Sequence, residues 1–408
     1  MTVTRTVSVS RIISGALLIA GTCVGGGMLA LPVETGPSGF FPSVLIMLIS
    51  WAFMTTTGLL IIEANLWMEE GAHLMTMASK LLGKPGKWLT ILLYLFMGYA
   101  SLIAYNTAGA SLLDSAFSDL FTKDLMRVEA CILFALVFGT MIYFGTRIIG
   151  IINTFLMVGM IIAYLVLMIN GTGNIHMSYL THRKWSYSFY SFPLLLATFS
   201  YQMMVPSITP YLKRDPRALK IAIVAGTTIP FVVYLTWQWI VLGSVPLEGK
   251  MGLLDAYRKG QPATESLRAF VKSPWISVSA QFFAFFALVT SYLGIALGLK
   301  DFLMDLFSLK HKKSNNLFMG LLAVIPSLVF AILYPKAFLL GLEFSGGFGD
   351  SILSAFIPVS MIWIGRYYKH HEGPLRIFGG KKLLSTLGTI AVFIFVVQIV
   401  KLIFPHET

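Results

Sequence analysis

The 408-residue chain is 56% hydrophobic and only 12% charged, with a mean hydropathy of +0.79, which excludes an ordinary soluble fold and points to a polytopic membrane protein. Its net charge of +12 is not a nucleic-acid footprint, because the basic residues are scattered through the gaps between apolar runs, as the positive-inside pattern requires. The two cysteines, Cys23 and Cys131, both fall inside apolar runs, which argues against a disulfide framework or a cysteine metal site. No metal or cofactor is expected.

A crossing needs roughly 20 apolar residues, and eleven such runs are predicted: 12–33, 40–66, 88–112, 127–145, 148–170, 189–211, 219–244, 275–299, 316–334, 337–365 and 383–404. Arg5 and Arg11 ahead of the first run imitate a signal peptide. The run is long enough to span, however, and ends at Leu31-Pro32 without a small-x-small cleavage site. With the N-terminus in the cytoplasm, nineteen of the 30 Lys and Arg residues fall inside. Five of the remaining eleven belong to one long outer loop, 246–274. The charge balance predicts N-in, eleven spans and C-out. The whole chain, 1–408, reads as one transmembrane unit.

The first run carries Gly21-Thr22-Cys23-Val24-Gly25-Gly26-Gly27 at its middle. Each glycine costs a helix interior about 0.8–1 kcal/mol relative to alanine. Irregular backbone at this depth survives only where it lines a cavity or is buried in protein. A break here frees carbonyls at the end of one half-helix and N–H groups at the start of the next, complementary to an ammonium or cation and to a carboxylate. Interrupted runs are the best pointer to a transporter's binding site. The competing reading is a close-packing seam through Gly21 and Gly25, or Gly15 with Gly21 and Gly26.

Before the third run, residues 72–83 place Leu74, Met77, Ala78 and Leu81 at helical spacing with Lys80 and Lys84 alongside, a short cytoplasmic interfacial helix. In the third run Gly98, Ser101, Tyr105 and Ala108 or Gly109 share a face, and Tyr105 can offer a substrate its hydroxyl and ring. Packing alone explains such a tyrosine equally well. The sixth run contains Phe199-Ser200-Tyr201-Gln202 followed by Pro206, a second break signal, since proline clashes with the carbonyl of Gln202. Interruptions at positions one and six fit two related five-helix repeats, 12–170 and 189–365, with an extra helix at 383–404. The outer loop has two helix-like pieces, Leu253–Tyr257 and Glu265–Lys272, split by Gln261-Pro262.

The eighth run has small residues from Ser277 to Gly298 on one face, and Thr290 and Ser291 bring two hydroxyls near it. With free carbonyls from the first run they are a candidate oxygen site for a small cation; interhelical hydrogen bonding is the alternative. Three intramembrane acids are candidates for cation or proton coupling, because burying each charge costs about 2.5–3.5 kcal/mol even on a lenient scale. They are Glu63, which also reads as an interfacial anchor or helix cap, and Glu343 and Asp350. The last two flank Gly346-Gly347 and share a face if the helix runs through the glycines. All seven histidines lie in predicted loops or tails. No nucleophile–base or metal constellation suggests an enzyme, and no span has the repeated polar face of a channel.

The run from Gly15 to Pro32 closely resembles the first span of bacterial aromatic amino acid permeases, the tyrosine- and tryptophan-specific permeases of the hydroxy/aromatic amino acid family. Ile62-Glu63-Ala64-Asn65-Leu66, Val205-Pro206-Ser207-Ile208, Thr290 to Leu299 and Asp301-Phe302-Leu303 are similar to that family too. The resemblance implies the fold of the amino acid/polyamine/organocation superfamily: all-α, two inverted five-helix repeats as in the leucine transporter, with spans one and six unwound about the substrate. It also implies proton-coupled uptake of an aromatic amino acid across a bacterial inner membrane, tyrosine being the first expectation. Sodium coupling and tryptophan specificity are the alternatives. By the same resemblance Gly21–Gly27 and Ser200–Gln202 hold the substrate's polar head, Phe199 is a further substrate-binding candidate, Tyr105 lines the pocket, and Thr290-Ser291 matches a cation site of sodium-coupled relatives. Enteric permeases carry Phe-Gly-Phe-His where this chain has Phe199-Ser200-Tyr201-Gln202, so any proton role of that histidine does not transfer. The oligomeric state is left open.

Overall fold

The computed structural model describes residues 7–121, 125–144, 146–271, 273–309 and 312–404. Arg5, Lys123, Lys272, Lys310, His311 and His406, counted in the reading above, lie outside the described residues. Among the described residues there is helix and no strand. Eight helices of the described residues are long and apolar enough to cross a membrane: Phe40–Leu66, Leu74–Ser118, Ile148–Asn174, Pro216–Ser244, Pro274–Leu306, Ser314–Leu333, Ala337–Tyr367 and Gly380–Ile403. A ninth is the bent pair Val9–Cys23 and Gly26–Ser38, whose halves meet at 49°. The fourth predicted run holds a helix of 15 residues, Arg127–Met141, and the sixth is divided.

Glycine and proline set most of the punctuation. The helix beginning at Leu74 turns at Gly83, whose φ of +77° is a conformation that side chains with a Cβ rarely adopt. The piece before it buries Leu74, Met77, Ala78 and Leu81 and leaves Lys80 exposed, as its spacing predicts. The long loop at 246–274 forms Leu253–Lys259 and Ala263–Phe270, and Ser111 of the third run donates to Glu265 at 2.7 Å. Long apolar helices also leave large apolar side chains uncovered, such as Phe155 on the fifth helix at 74% exposed, as a lipid-facing surface would require.

The tenth run departs from expectation. It is α-helical over Ala337–Phe344, widens to a π-helix over Ser345–Phe356, and returns to α-helix at Ile357–Tyr367. A π-helix adds a residue to each turn, so the seven-residue step from Glu343 to Asp350 does not return to the same face, and the two acids meet different partners. Gly346 sits against the Pro193 carbonyl, Gly347 against Gln398 and Gly349 against Met97. The glycines thus let three other helices approach the widened turns.

Glu63 is a buried clamp. Arg366 donates to both its carboxylate oxygens, at 2.6 and 2.5 Å, and the Ile377 N–H adds a third bond at 2.8 Å. This ties the second helix to the tenth and to the segment beyond it. Breaking a buried pair leaves one charge uncompensated, at about 3–5 kcal/mol. Glu63→Gln is therefore expected to lower the thermal midpoint in detergent while leaving ion dependence of uptake unchanged; a changed ion dependence in a stable Glu63→Gln protein would argue for coupling instead.

A candidate substrate site between two broken helices

Both breaks lie where the sequence places them. The first helix ends at Cys23, Gly25 is extended, and a short turn, Gly26–Leu29, leads into the second half. In the sixth run a helix over Phe192–Thr198 stops, Phe199 to Tyr201 leave helical geometry, and Val205–Tyr211 resumes after the turn Gln202–Met204. Pro206 sits in the first turn of that last piece, where its missing N–H costs nothing; it restarts the helix and does not kink a continuous one.

The two breaks face each other. Gly27 lies against Thr198, where an added Cβ would stand 3.1 Å from its methyl group. The Tyr234 hydroxyl, on the seventh helix, reaches the Cys23 carbonyl at 2.7 Å and the Thr198 carbonyl at 2.9 Å. Those carbonyls terminate the first half of each broken helix, so one phenol serves both negative helix ends. Trp237, one turn on, donates to the Met28 carbonyl at 2.9 Å, and Phe199 packs edge-on against Tyr234 at 5.1 Å. Tyr234 and Trp237 drew no notice in the sequence, where aromatics inside an apolar run read as packing. Tyr234→Phe removes the shared donor, and an orphaned buried carbonyl costs about 1–3 kcal/mol. Substrate affinity is accordingly expected to fall roughly 5- to 150-fold, measured by equilibrium binding to the purified protein.

On the opposite wall, Ser291 accepts from the Gly26 N–H at 3.0 Å. An added Cβ on Gly25 would stand 2.2 Å from the Ser291 hydroxyl, and one on Gly26 would meet the Tyr105 ring at 2.7 Å. The third and eighth helices therefore press directly on bare backbone. Thr290 is placed differently: its hydroxyl donates back into its own helix, to Phe286 at 2.8 Å and Ala287 at 3.1 Å. Below the sixth break, Asp350 is fully buried. Its Oδ1 accepts from Ser200 at 2.6 Å and from Ser354 at 2.5 Å. Its Oδ2 has no hydrogen-bond partner among the described residues.

The structure thus gathers Cys23, Gly25, Gly26, Gly27, Tyr105, Phe199, Ser200, Ser291 and Asp350 around the breaks. Other candidates point elsewhere. Gly21 is still helical and packs against Met157, Val24 carries an N–H bonded back to Ala20, and the Thr22 hydroxyl bonds to Leu18 on an exposed face. The Tyr201 hydroxyl and Gln202 amide both donate to the Met54 carbonyl at 3.2 Å, with Thr57 a further acceptor for Gln202. These two side chains fasten the sixth break to the second helix. Among the described residues no cluster of His, Cys, Asp and Glu is arranged to hold a metal ion.

The model of the tryptophan/tyrosine permease family matches residues 8–399. The chain belongs to that family. Curated relatives include the tryptophan-specific transport protein of Haemophilus influenzae, 28% identical over 95% of both chains. Tyrosine-specific transport system 2 of the same organism is 30% identical over 95% of this chain and 96% of its own. Among solved structures, MhsT in complex with L-phenylalanine superposes with a TM-score of 0.60 at 15% identity, covering 97% of this chain and 99% of that one, which establishes a likeness of fold. The protein is a multi-pass membrane amino acid permease and not an enzyme, and the resemblance read from its sequence holds along almost its whole length.

Proposed function

We propose that this permease is a proton-coupled symporter that imports an aromatic amino acid, tyrosine first, by alternating access. In this reading it crosses a bacterial inner membrane eleven times, as two inverted five-helix repeats and a final helix, with its N-terminus in the cytoplasm and its C-terminus outside. The observation that carries the transport reading is the convergence of both broken helices on Tyr234. Two half-helix ends and the unwound backbone beyond them are the surface offered to a zwitterion's head, and Tyr105 and Phe199 supply aromatic surface for its side chain. Relatives named for tryptophan and for tyrosine transport support the substrate class.

Proton coupling rests on Asp350. It is a buried carboxylate with one free oxygen, joined through Ser200 to the sixth break, so its charge state bears on a moving element. A zwitterion is neutral, and one accompanying proton makes the step electrogenic. A membrane potential then contributes about 2.3 kcal/mol per 100 mV, close to a fifty-fold accumulation. Ser291 beside the first break favours a second reading, sodium coupling, with Thr290 contributing its hydroxyl lone pairs. Proteoliposome uptake of labelled tyrosine, tryptophan and leucine under separately imposed proton and sodium gradients decides between them. Potential-driven uptake that an uncoupler abolishes and sodium leaves unaffected is expected; a strict sodium requirement would reverse the assignment.

A further inference from the structure

On the side opposite the N-terminus, three charged residues from three helices are buried against one another. Lys401, on the last helix, donates to Glu34 on the second half of the broken first helix, and stands 3.1 Å from Glu343 on the tenth. Its Nζ also lies 3.4 Å from the Tyr190 carbonyl, in the turn just before the helix Phe192–Thr198, and 5.9 Å from the ring of Tyr257 in the outer loop. The side chains of Lys401, Glu34 and Glu343 are 9%, 2% and 3% exposed. They line a cavity of about 210 Å³, and Glu34 Oε2 has no partner among the described residues.

A lysine so placed does more than neutralise charge. Its partners belong to the elements that must part if the outer entrance is to open: the outer half of the first helix, the approach to the sixth, and the tenth helix. Two carboxylates share a single ammonium, and one carboxylate oxygen of Glu34 is left without a hydrogen-bond partner among the described residues. The cluster's bonds are strong but incompletely satisfied, which suits a contact that must be made and broken. The last helix lies outside both repeats in the reading above and can act as a fixed post.

We propose that Glu34, Lys401 and Glu343 form an ionic latch across the outer entrance, and that release of Glu34 from Lys401 accompanies opening. This rests on the alternating-access reading and adds three positioning residues to it. Native Cys23, buried at the first break, supplies the reporter. In a Cys131→Ala background, a charged, membrane-impermeant methanethiosulfonate is applied to the outside of right-side-out vesicles, and the rate of Cys23 modification is measured. Lys401→Met is expected to raise that rate at least about 5-fold, the low end of ordinary coupling between two conformational states, while Lys401→Arg holds the parent rate. Because Lys401→Met strands two buried carboxylates, the deciding variant is the triple Glu34→Gln/Glu343→Gln/Lys401→Met, which removes the charge altogether and should react as fast as the single variant. A triple variant at the parent rate, or Lys401→Arg as fast as Lys401→Met, would overturn the latch. Saturating tyrosine and tryptophan in the parent protein keep the two ideas apart. Protection of Cys23 with unchanged latch variants sinks the latch alone; absence of protection in the parent sinks the site, while the rate comparison still decides the latch.

Discussion

Asp350→Asn is expected to abolish proton-driven accumulation while leaving exchange largely intact. Asparagine has nearly the shape of aspartate, and its carbonyl oxygen can still accept from Ser200 and Ser354, now at 2.6 and 2.5 Å. What it cannot do is alternate between a charged and a neutral form. The link from the tenth helix to the sixth break then persists unchanged through the cycle, and no proton accompanies the substrate. The roughly fifty-fold accumulation per 100 mV should collapse to simple equilibration. Counterflow of labelled against unlabelled substrate, which needs no net proton movement, should stay within about 5-fold of the parent, since the loss of charge-assisted bonding here is on the order of 1 kcal/mol. Accumulation by Asp350→Asn at the parent level would remove Asp350 from the coupling mechanism.

The second large effect is steric. Gly25 is in extended geometry, with φ of −167°, which any residue can adopt, so space and not conformation demands glycine. An added Cβ would stand 2.2 Å from the Ser291 hydroxyl, but 3.6 Å from the Ser291 Cβ. Gly25→Ala must therefore push the first break away from the eighth helix, an overpacking cost of about 1–3 kcal/mol, and weaken binding roughly 5- to 150-fold. Removing the offending oxygen should relieve it. Ser291→Ala alone forfeits the bond from Gly26, about 1 kcal/mol, and the double variant Gly25→Ala/Ser291→Ala should bind better than Gly25→Ala alone. Equilibrium binding over this double-mutant cycle reads the coupling directly. Strict additivity, with no rescue, would mean that the first break does not press on Ser291 in the binding state.

The breaks were legible because their chemistry is local. Four glycines in seven residues, and a proline after Phe199-Ser200-Tyr201-Gln202, disturb a helix whatever surrounds it. Tyr105 and Ser291 were legible from helical spacing, since each lies on a regular helix whose inward face the small residues mark. Periodicity fails once the chain leaves the helix. Nothing local indicates that Tyr201 and Gln202 turn toward Met54, or that Ser200 turns toward Asp350. The widening over Ser345–Phe356 is equally hidden, because it depends on the approach of Pro193, Gln398 and Met97 to the glycines. Lys401 counts in the sequence only as one of the basic residues and Glu34 stands out in no pattern; only tertiary packing makes them partners. Tyr234 shows the same limit, a phenol in an apolar stretch whose two acceptors come from other parts of the chain.

The account depends most on bare peptide groups at the two breaks holding the head of an amino acid. Equilibrium binding to the purified protein tests this, comparing tyrosine with tyramine, which lacks the carboxylate, and N-acetyltyrosine, which lacks the ammonium. Each change removes hydrogen bonds to a charged group, worth about 1.5–3 kcal/mol, so both analogues should bind at least about 10-fold more weakly than tyrosine. Tyramine or N-acetyltyrosine binding as tightly as tyrosine would contradict it.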